Sequence, residues 1–215
     1  MNDATVFLID DDASVRDSLS LVLSLKGMRT QLFAAAEPFL ETYQSDWCGC
    51  VLTDLQMPGM SGLDLQEALR DRGISLPVIV LTAHGDVATT RLAMKNGAFD
   101  FLEKPVDNEI LLDVLQNAIR EDTRRHDAHR SEDIARSRLE RLTPRERDVL
   151  NLLGDGLSQR EIAGRLEISP RTVEVYKARM MEKLQCGSLA EVVRTAIAAG
   201  SADLTDTQSH TGSPD

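Results

Sequence analysis

The chain has 215 residues, 42% of them hydrophobic and 4% aromatic, with a formal net charge of −11. This length predicts one or two domains, and no apolar run approaches the roughly 18 residues that a membrane-spanning helix needs. The N-terminus lacks the charged and apolar segments of a secretion signal, so we expect a cytoplasmic protein without a membrane partner.

The negative charge is concentrated in the first half of the chain. Residues 1–120 contain 9 Lys and Arg against 18 Asp and Glu, whereas residues 138–200 contain 11 against 9. The overall charge is unfavourable for nucleic-acid binding, but it masks a mildly basic C-terminal segment. The cysteines are Cys48, Cys50 and Cys186. Their odd number and the Cys48-Gly49-Cys50 spacing fit neither a disulfide framework nor a metal motif, which predicts reduced thiols.

Strands and helices alternate through the first 120 residues. Apolar, β-prone runs predict five strands, at Thr5–Ile9, Met28–Phe33, Cys50–Thr53, Leu76–Thr82 and Phe99–Glu103. Helical patterns lie between and after them, at Ala13–Leu25, around Pro38–Tyr43, and at Gly62–Arg72, Val87–Asn96 and Asn108–Arg120. The alternation predicts an α/β domain with a doubly wound, five-stranded parallel sheet. On the first helix, the expected apolar face consists of Val15, Leu19, Val22 and Leu25.

Polar side chains follow or close four of these strands. They are Asp10, Asp11 and Asp12 after the first strand, Asp54 at the third, Thr82 at the fourth and Lys104 at the fifth. The carboxyl ends of parallel strands meet at one edge of a sheet, where α/β proteins place their chemistry. Carboxylates gathered there would repel unless a hard cation such as Mg²⁺ lay among them. An aspartate in such a site is a plausible acceptor of a phosphoryl group, with Lys104 and Thr82 placed to contact it.

Residues 1–122 resemble the receiver domain of two-component response regulators. The resemblance rests on a set of residues with matching order and spacing: Asp10-Asp11, Asp54, Thr82, Phe101 and Lys104-Pro105. It implies that Asp54 is the phosphoacceptor and that a sensor histidine kinase is the partner that phosphorylates it. A nearby histidine, His84, could take part in catalysis or simply be solvated.

The same resemblance implies a role for each residue of the site. Mg²⁺ is the implied cofactor, bound directly by Asp11, Asp54 and the backbone carbonyl of Gln56, while Asp10 acts through water. Lys104 and Thr82 contact the phosphoryl group, and Phe101 is the aromatic residue that reorients on activation. We expect the phosphorylated protein to form a homodimer through Val87–Asn96 and Phe99–Glu103, with Arg91 and Lys95 as polar contacts.

Residues 123–140 are strongly charged and nearly without apolar side chains. They contain neither Gly nor Pro. Such a segment cannot bury a core. We predict a solvated helical linker that extends the preceding helix.

Residues 141–200 predict an all-α domain of four short helices. Capping-box patterns mark three helix starts, at Thr143–Glu146, Ser158–Glu161 and Ser188–Glu191, and Ser169-Pro170 marks the fourth. The helices Gln159–Arg165 and Pro170–Leu184 are joined by a tight turn, which predicts a helix–turn–helix. Residues 201–215 are small and polar, and we expect a disordered tail.

The helix Pro170–Leu184 has the composition of a recognition helix. Val173, Met180 and Leu184 form an inward stripe at helical spacing. The expected DNA contacts are Arg171, Thr172, Glu174, Val175, Lys177, Ala178 and Arg179. In such a helix, basic side chains contact DNA phosphates, and small or polar side chains contact the edges of the nucleobases. A structural helix with ordinary surface charge would look similar.

The C-terminal motifs at 142–150, 156–158, 161–163 and 169–176 are similar to the LuxR/NarL-type helix–turn–helix. With a receiver in front, the whole chain resembles the FixJ subgroup of response regulators. The resemblance implies a phosphorylation-controlled transcription factor that is not an enzyme and binds double-stranded DNA, with RNA polymerase as a further partner. Some members carry lysines where this chain has Glu174 and Ala178, so their base contacts do not carry over.

Two other functions remain open from the sequence. Asp10-x-Asp12, with Ser14 two positions later, superficially matches the start of an aspartate-nucleophile phosphohydrolase. A constitutive DNA-binding regulator with an inactive receiver domain is the second alternative, although the intact acid, threonine and lysine set argues against it.

Overall fold

The computed structural model describes residues 4–83 and 87–198. His84 and the predicted tail at 201–215 lie outside these residues. The chain divides into two compact units, the first ending at His126 and the second beginning at Asp127.

The first unit is built on a five-stranded parallel sheet. Its strands are β1 (Thr5–Ile9), β2 (Arg29–Phe33), β3 (Gly49–Asp54), β4 (Val78–Thr82) and β5 (Asp100–Glu103). They lie in the order β2-β1-β3-β4-β5, and every neighbouring pair is parallel. The order of the strands reverses between β1 and β3, so a crevice opens at their carboxyl ends, where such sheets bind ligands.

Helices cover both faces of the sheet. They are α1 (Ala13–Leu25), α2 (Ala36–Thr42), α3 (Gly62–Asp71), α4 (Val87–Lys95) and α5 (Asn108–Glu140). Alternate strand residues feed two cores. Phe7, Ile9, Val51 and Val80 pack with α2 and α3, whereas Val6, Leu8, Leu52, Ile79 and Leu81 pack with α1 and α5. Burial of both faces explains why the central strands are continuous apolar runs.

Some predicted boundaries and one predicted core residue differ from the structure. β4 begins at Val78 rather than Leu76, because Pro77 has no N–H to donate to the ladder. The inward position of Leu25 was predicted wrongly, since its side chain is 77% exposed while Leu23 is fully buried. Leu23 lies one helical step of four residues beyond Leu19, which packs against the same core.

As predicted, the last helix of the first unit extends through the charged segment that follows it. α5 runs for 33 residues, from Asn108 to Glu140, and so includes the charged segment 123–140. This stretch contains neither Gly nor Pro, the two residues that most strongly disfavour a helix, so the helix continues through it.

The second unit contains the four predicted short helices. They are α6 (Pro144–Gly154), α7 (Gln159–Arg165), α8 (Pro170–Leu184) and α9 (Leu189–Ala198). The capping boxes of α6 and α7 form as predicted. At α9 only half of the box forms. Ser188 Oγ accepts from Glu191 N at 3.2 Å, but the Glu191 carboxylate accepts from Gly187 N at 2.9 Å.

Glu146 joins α6 to α8 through a buried ion pair. The residue is 2% exposed, and its Oε2 accepts from Lys183 Nζ at 2.6 Å and from Thr143 N at 2.8 Å. Burial by itself would raise the pKa of the Glu146 carboxyl. The hydrogen bonds from Lys183 and Thr143 outweigh that effect, and the pKa lies below its ordinary value.

Glu146→Ala should lower the free energy of unfolding by about 1–3 kcal/mol at neutral pH, because Lys183 loses its buried partner and the Thr143 N–H loses its acceptor. Urea titration followed by circular dichroism measures the difference. Glu161→Ala is the matched control, since Glu161 also completes a capping box but is exposed, and its loss should be smaller.

The effect of Glu146→Ala should also depend on pH. A carboxyl with a lowered pKa in the folded state stabilises above its ordinary value of 4.5, and that contribution disappears as the pH falls through the folded pKa. The difference between wild type and Glu146→Ala should therefore shrink below this pH. A difference that stayed constant down to acid unfolding would contradict an ionised Glu146.

Candidate functional site

A lysine bridges two buried carboxylates at the carboxyl edge of the sheet. Lys104 Nζ lies 2.7 Å from Asp10 Oδ2 and 2.5 Å from Asp54 Oδ1. Asp10 is 2% exposed and Asp54 8% exposed. Neighbouring strands bring the acids together: β1 and β3 are paired in register up to Ile9 and Thr53, the residues just before them.

Backbone hydrogen bonds fix the orientation of both carboxylates. Asp10 Oδ1 accepts from Asp12 N at 2.9 Å, and Asp54 Oδ2 accepts from Gln56 N at 2.8 Å. Each acid therefore uses one oxygen for the chain and one for Lys104. The backbone of Gln56, whose carbonyl is predicted to bind a metal ion, is thus adjacent to Asp54.

Lys104 is positioned by the sheet as well. Its backbone N–H donates to the Thr82 carbonyl at 2.7 Å, which continues the β4–β5 ladder past the end of β5. The Lys104-Pro105 peptide bond is cis. Partial burial would lower the pKa of the Lys104 ammonium, but its hydrogen bonds to Asp10 and Asp54 outweigh this and raise the pKa above its ordinary value. The lysine is therefore charged at neutral pH.

The charges and donor atoms of this edge fit a hard divalent cation. Asp10 and Asp54 are buried, Asp11 is exposed beside them, and Lys104 offsets part of their charge. The carboxylate and carbonyl groups offer oxygen atoms only, which is the donor set that Mg²⁺ prefers. We refer to Asp10, Asp11, Asp54 and Lys104 as the acidic pocket.

Thr82 and Phe101 lie on adjacent strands next to the acidic pocket. Thr82 ends β4 and is 2% exposed. Phe101 is opposite Val80 in the β4–β5 register and packs, partly buried, against the core that includes α2 and α3. The strands thus bring the predicted hydroxyl and aromatic residues into one region.

Gly62 contributes to the site and was not predicted to do so. A Cβ atom added there would lie 2.5 Å from the backbone oxygen of Asp54 and 3.2 Å from Cα of Leu55. Only glycine allows the start of α3 to approach the end of β3 this closely. The available sequence signal was a glycine directly after Ser61, the N-cap of α3.

Asp12 has a local structural role. Its Oδ1 accepts from Ser14 N at 2.8 Å and from Ser14 Oγ at 2.6 Å, which caps α1. The bonds from Ser14 also lower the pKa of the exposed Asp12 carboxyl. The Asp10-x-Asp12 and Ser14 pattern that superficially matches a phosphohydrolase is therefore accounted for by helix capping.

In the second unit, α8 has the two faces expected of a recognition helix. Val173, Met180 and Leu184 are fully buried, as predicted. The remaining predicted residues are exposed at Arg171, Glu174, Val175, Ala178 and Arg179, and partly buried at Thr172 and Lys177. Positions three or four apart on a helix share a face, so Arg171, Glu174, Val175 and Ala178 form one continuous surface.

Polar contacts hold the start of α8. The hydroxyls of Ser169 and Thr172 are 2.8 Å apart, so the Thr172 side chain takes part in the cap. Gln159 Nε2 donates to the Pro170 carbonyl at 2.8 Å and joins α7 to α8. No local sequence pattern predicts this contact.

The basic charge of α8 is also partly committed to the fold. Lys183, one of its basic residues, pairs with buried Glu146. Of the four basic residues of this helix, three are therefore left for DNA: Arg171, Lys177 and Arg179.

Among the described residues, no helix is both long and apolar enough to span a bilayer. No disulfide joins the described cysteines, Cys48, Cys50 and Cys186.

Comparison with known proteins accounts for both units. The family described as response regulator receiver domain matches residues 6–116, and the family described as bacterial regulatory proteins, luxR family, matches residues 140–196. The transcriptional regulatory protein FixJ of Bradyrhizobium diazoefficiens is 42% identical over 198 residues, which cover 91% of this chain and 95% of that protein. The chain belongs to the FixJ-type response regulators.

Other relatives are similar to this chain over most of its length. FixJ of Azorhizobium caulinodans is 44% identical over 204 residues, covering 94% of this chain and 95% of that protein. The solved structure of the response regulator StyR has a TM-score of 0.82 and 39% identity, covering 90% of this chain and 98% of that one. The response regulator thus combines a receiver domain with a DNA-binding helix–turn–helix, and its family regulates transcription.

Proposed function

We propose that a sensor histidine kinase phosphorylates Asp54 of this response regulator, and that phosphorylation promotes dimerisation and sequence-specific DNA binding. The observation that carries the proposal is the ammonium of Lys104 between the buried carboxylates of Asp10 and Asp54. A carboxylate that is oriented by backbone bonds and faces a cation can act as a nucleophile and keep the charge of its product compensated.

The reaction converts Asp54 to an acyl phosphate. A carboxylate oxygen of Asp54 forms a bond to phosphorus, and the bond between phosphorus and the imidazole nitrogen of the kinase phosphohistidine breaks. Mg²⁺ bound by Asp11, Asp54 and the Gln56 carbonyl, with Asp10 acting through water, would supply positive charge to the phosphoryl oxygens. Lys104 then pairs with the phosphoryl group, and the Thr82 hydroxyl donates a hydrogen bond to it.

The negative charge of the phosphoryl group on Asp54 drives the change between the two states of the receiver domain. A phosphoryl group adds about −1.5 to −2 charges at neutral pH, so Lys104 and Thr82 gain contacts that the unmodified state cannot offer. Movement of Thr82 toward the phosphate opens space for the Phe101 ring on the neighbouring strand. Such differential contacts are what allow a modification to shift a population between two states.

Asp54→Asn should take up no phosphoryl group from acetyl phosphate in the presence of Mg²⁺, because an amide cannot form the acyl phosphate. Wild type and Asp71→Asn, which changes an exposed aspartate at the end of α3, should be labelled equally. Mass spectrometry or Phos-tag electrophoresis measures the product. Full labelling of Asp54→Asn would reject the assignment.

The same samples distinguish the alternative functions in a DNA-binding assay. The proposed switch requires that acetyl phosphate increase DNA binding by wild type but not by Asp54→Asn. Equal binding by both proteins, with and without acetyl phosphate, would instead support a constitutive regulator. Release of inorganic phosphate from added phosphomonoesters would support the phosphohydrolase.

The surface beside Phe101 supports α4 and β5 as the dimerisation face. α4 exposes three large apolar side chains: Val87 (73%), Leu92 (47%) and Met94 (48%). Arg91 and Lys95 are exposed on the same helix, and β5 is an edge strand. Apolar side chains rimmed by charges are typical of a protein interface.

Leu92→Glu should keep the phosphorylated protein monomeric, because a charge would be buried between two copies of α4. Leu25→Glu is the control, since Leu25 is an exposed apolar residue of α1. Sedimentation velocity with acetyl phosphate and Mg²⁺ should find dimers for wild type and Leu25→Glu. Equal dimerisation of Leu92→Glu, or no dimer of phosphorylated wild type, would contradict the interface.

The exposed face of α8 supports its insertion into the major groove. Glu174, Val175 and Ala178 would face base edges, where a glutamate accepts from cytosine and a valine packs on a thymine methyl. Lys177 and Arg179 would contact phosphates, together with the amides at the Ser169 cap. Two copies would pair through α9, where Ile197 is 61% exposed, and read inverted half-sites next to RNA polymerase.

Glu174→Ala should relax the preference at one base position by roughly 1–3 kcal/mol, because the carboxylate that discriminates bases is lost. Lys177→Ala should weaken binding to all sequences alike and lower the salt slope by about one. Titrations on a panel of operator variants at several salt concentrations measure both effects.

Glu140→Ala, which changes an exposed glutamate at the end of α5, is the control and should leave base preference unchanged. Unchanged preferences in Glu174→Ala would mean that Glu174 faces solvent and that another face of α8 enters the groove.

A further inference from the structure

A second group of ligand-forming side chains lies at the other end of β3. Cys48 directly precedes this strand, whereas Asp122 and His126 lie four residues apart on α5. Residues at this spacing share one face of a helix. Since β3 has six residues at ~3.3 Å each, this group is about 20 Å from the acidic pocket. It has no role in the proposed phosphorylation.

The three side chains have the spacing of a metal site. One atom from each, the Cys48 sulfur, an Asp122 oxygen and a His126 nitrogen, lies within 4.8 Å of the other two. His126 Nε2 is 3.7 Å from Asp122 Oδ2. Donor atoms around a tetrahedral zinc ion, with bonds of about 2.0–2.3 Å, are about 3.3–3.8 Å apart. Side-chain adjustments on the order of 1 Å would complete the site.

The Asp122 carboxylate is the observation that points to a bound cation. The residue is fully buried, and its Oδ2 accepts from Gly49 N at 2.8 Å. Its Oδ1 is also buried and has no hydrogen-bond partner among the described residues. The contact with His126 at 3.7 Å is too long for a hydrogen bond. A buried carboxylate oxygen without a partner is costly, and a metal ion would satisfy it.

Close backbone contacts position the residues of this group. Thr5 N donates to the Cys48 carbonyl at 2.9 Å, which holds Cys48 against the start of β1. Gly49 has a φ of 146°, and a side chain at this position would collide with the Thr5 carbonyl. Cys48 and Asp122 are therefore fixed relative to each other through Gly49. The Cys48 sulfur also lies 3.7 Å from Thr123 Oγ1, on the same helix as Asp122.

We propose that Cys48, Asp122 and His126 form a binding site for a divalent transition metal ion of the zinc type. Thiolate and imidazole ligands select such ions, whereas the oxygen ligands of the acidic pocket select Mg²⁺. Three protein ligands leave one coordination position for water. The bound ion would tie residues 122–126 of α5 to the start of β3, just before the charged stretch of the helix.

Cobalt titration of the full-length, reduced protein tests the site, because a thiolate bound to Co²⁺ gives a near-ultraviolet charge-transfer band. Excess Mg²⁺ in the buffer keeps the acidic pocket from contributing. The expected result is a band that saturates at one Co²⁺ per chain and is removed by Zn²⁺. No thiolate band at saturating Co²⁺ would overturn the proposal.

Variants assign the ligands. Cys48→Ser should lose the band, and Asp122→Asn and His126→Ala should each weaken Co²⁺ binding at least about tenfold. His129→Ala changes an exposed histidine of the same helix and should bind as wild type does. Cys50→Ala should also keep the band. Unchanged binding in both Cys48→Ser and His126→Ala would overturn the proposal.

A folding control accompanies the titration. Each variant is first compared with wild type by circular dichroism. Zn²⁺ should raise the melting temperature of wild type and His129→Ala but not of Cys48→Ser, since a ligand that binds the folded state stabilises it. An equal rise in Cys48→Ser would again contradict the assignment.

Discussion

The ammonium of Lys104 between two buried carboxylates is the interaction on which the receiver unit depends. Asp10 and Asp54 end neighbouring strands, and the sheet removes both from water. Like charges so close repel, and burial removes the water that would screen their repulsion. One lysine offsets only part of this charge. The negative charge that remains makes the pocket suitable for Mg²⁺. The same lysine can also pair with an arriving phosphoryl group.

The two units are organised in physically different ways. Around Asp54 the contacts are ionic, from Lys104 to two buried carboxylates, and α4, which exposes apolar side chains, packs next to β5. The DNA-binding unit instead has fixed supports. The Glu146–Lys183 pair and the bond from Gln159 to Pro170 hold α8 from both neighbouring helices. This arrangement suits a switchable receiver and a recognition helix that is already in place.

β3 brings different ligand atoms to its two ends. Its carboxyl end joins an oxygen-only pocket, whereas its amino end joins sulfur, nitrogen and oxygen atoms from Cys48, His126 and Asp122. This follows from the position of β3 in the fold. The strand has a neighbouring strand on each side, and helices cover both faces of the sheet. Each end therefore collects side chains from segments that are distant in the chain.

Local sequence patterns are enough to predict the five strands, the acids, threonine and lysine at their ends, and the inward stripe of α8. These features depend on local periodicity and on the rule that parallel strands share an edge. Tertiary structure alone decided that Leu23 is buried while Leu25 is exposed, and that Gly62 abuts Asp54. It also decided that Lys183 pairs with Glu146, 37 residues away, and that Gly49 binds Asp122, 73 residues away. Such pairings leave no periodic trace in the chain, because they depend on how separate elements pack in three dimensions.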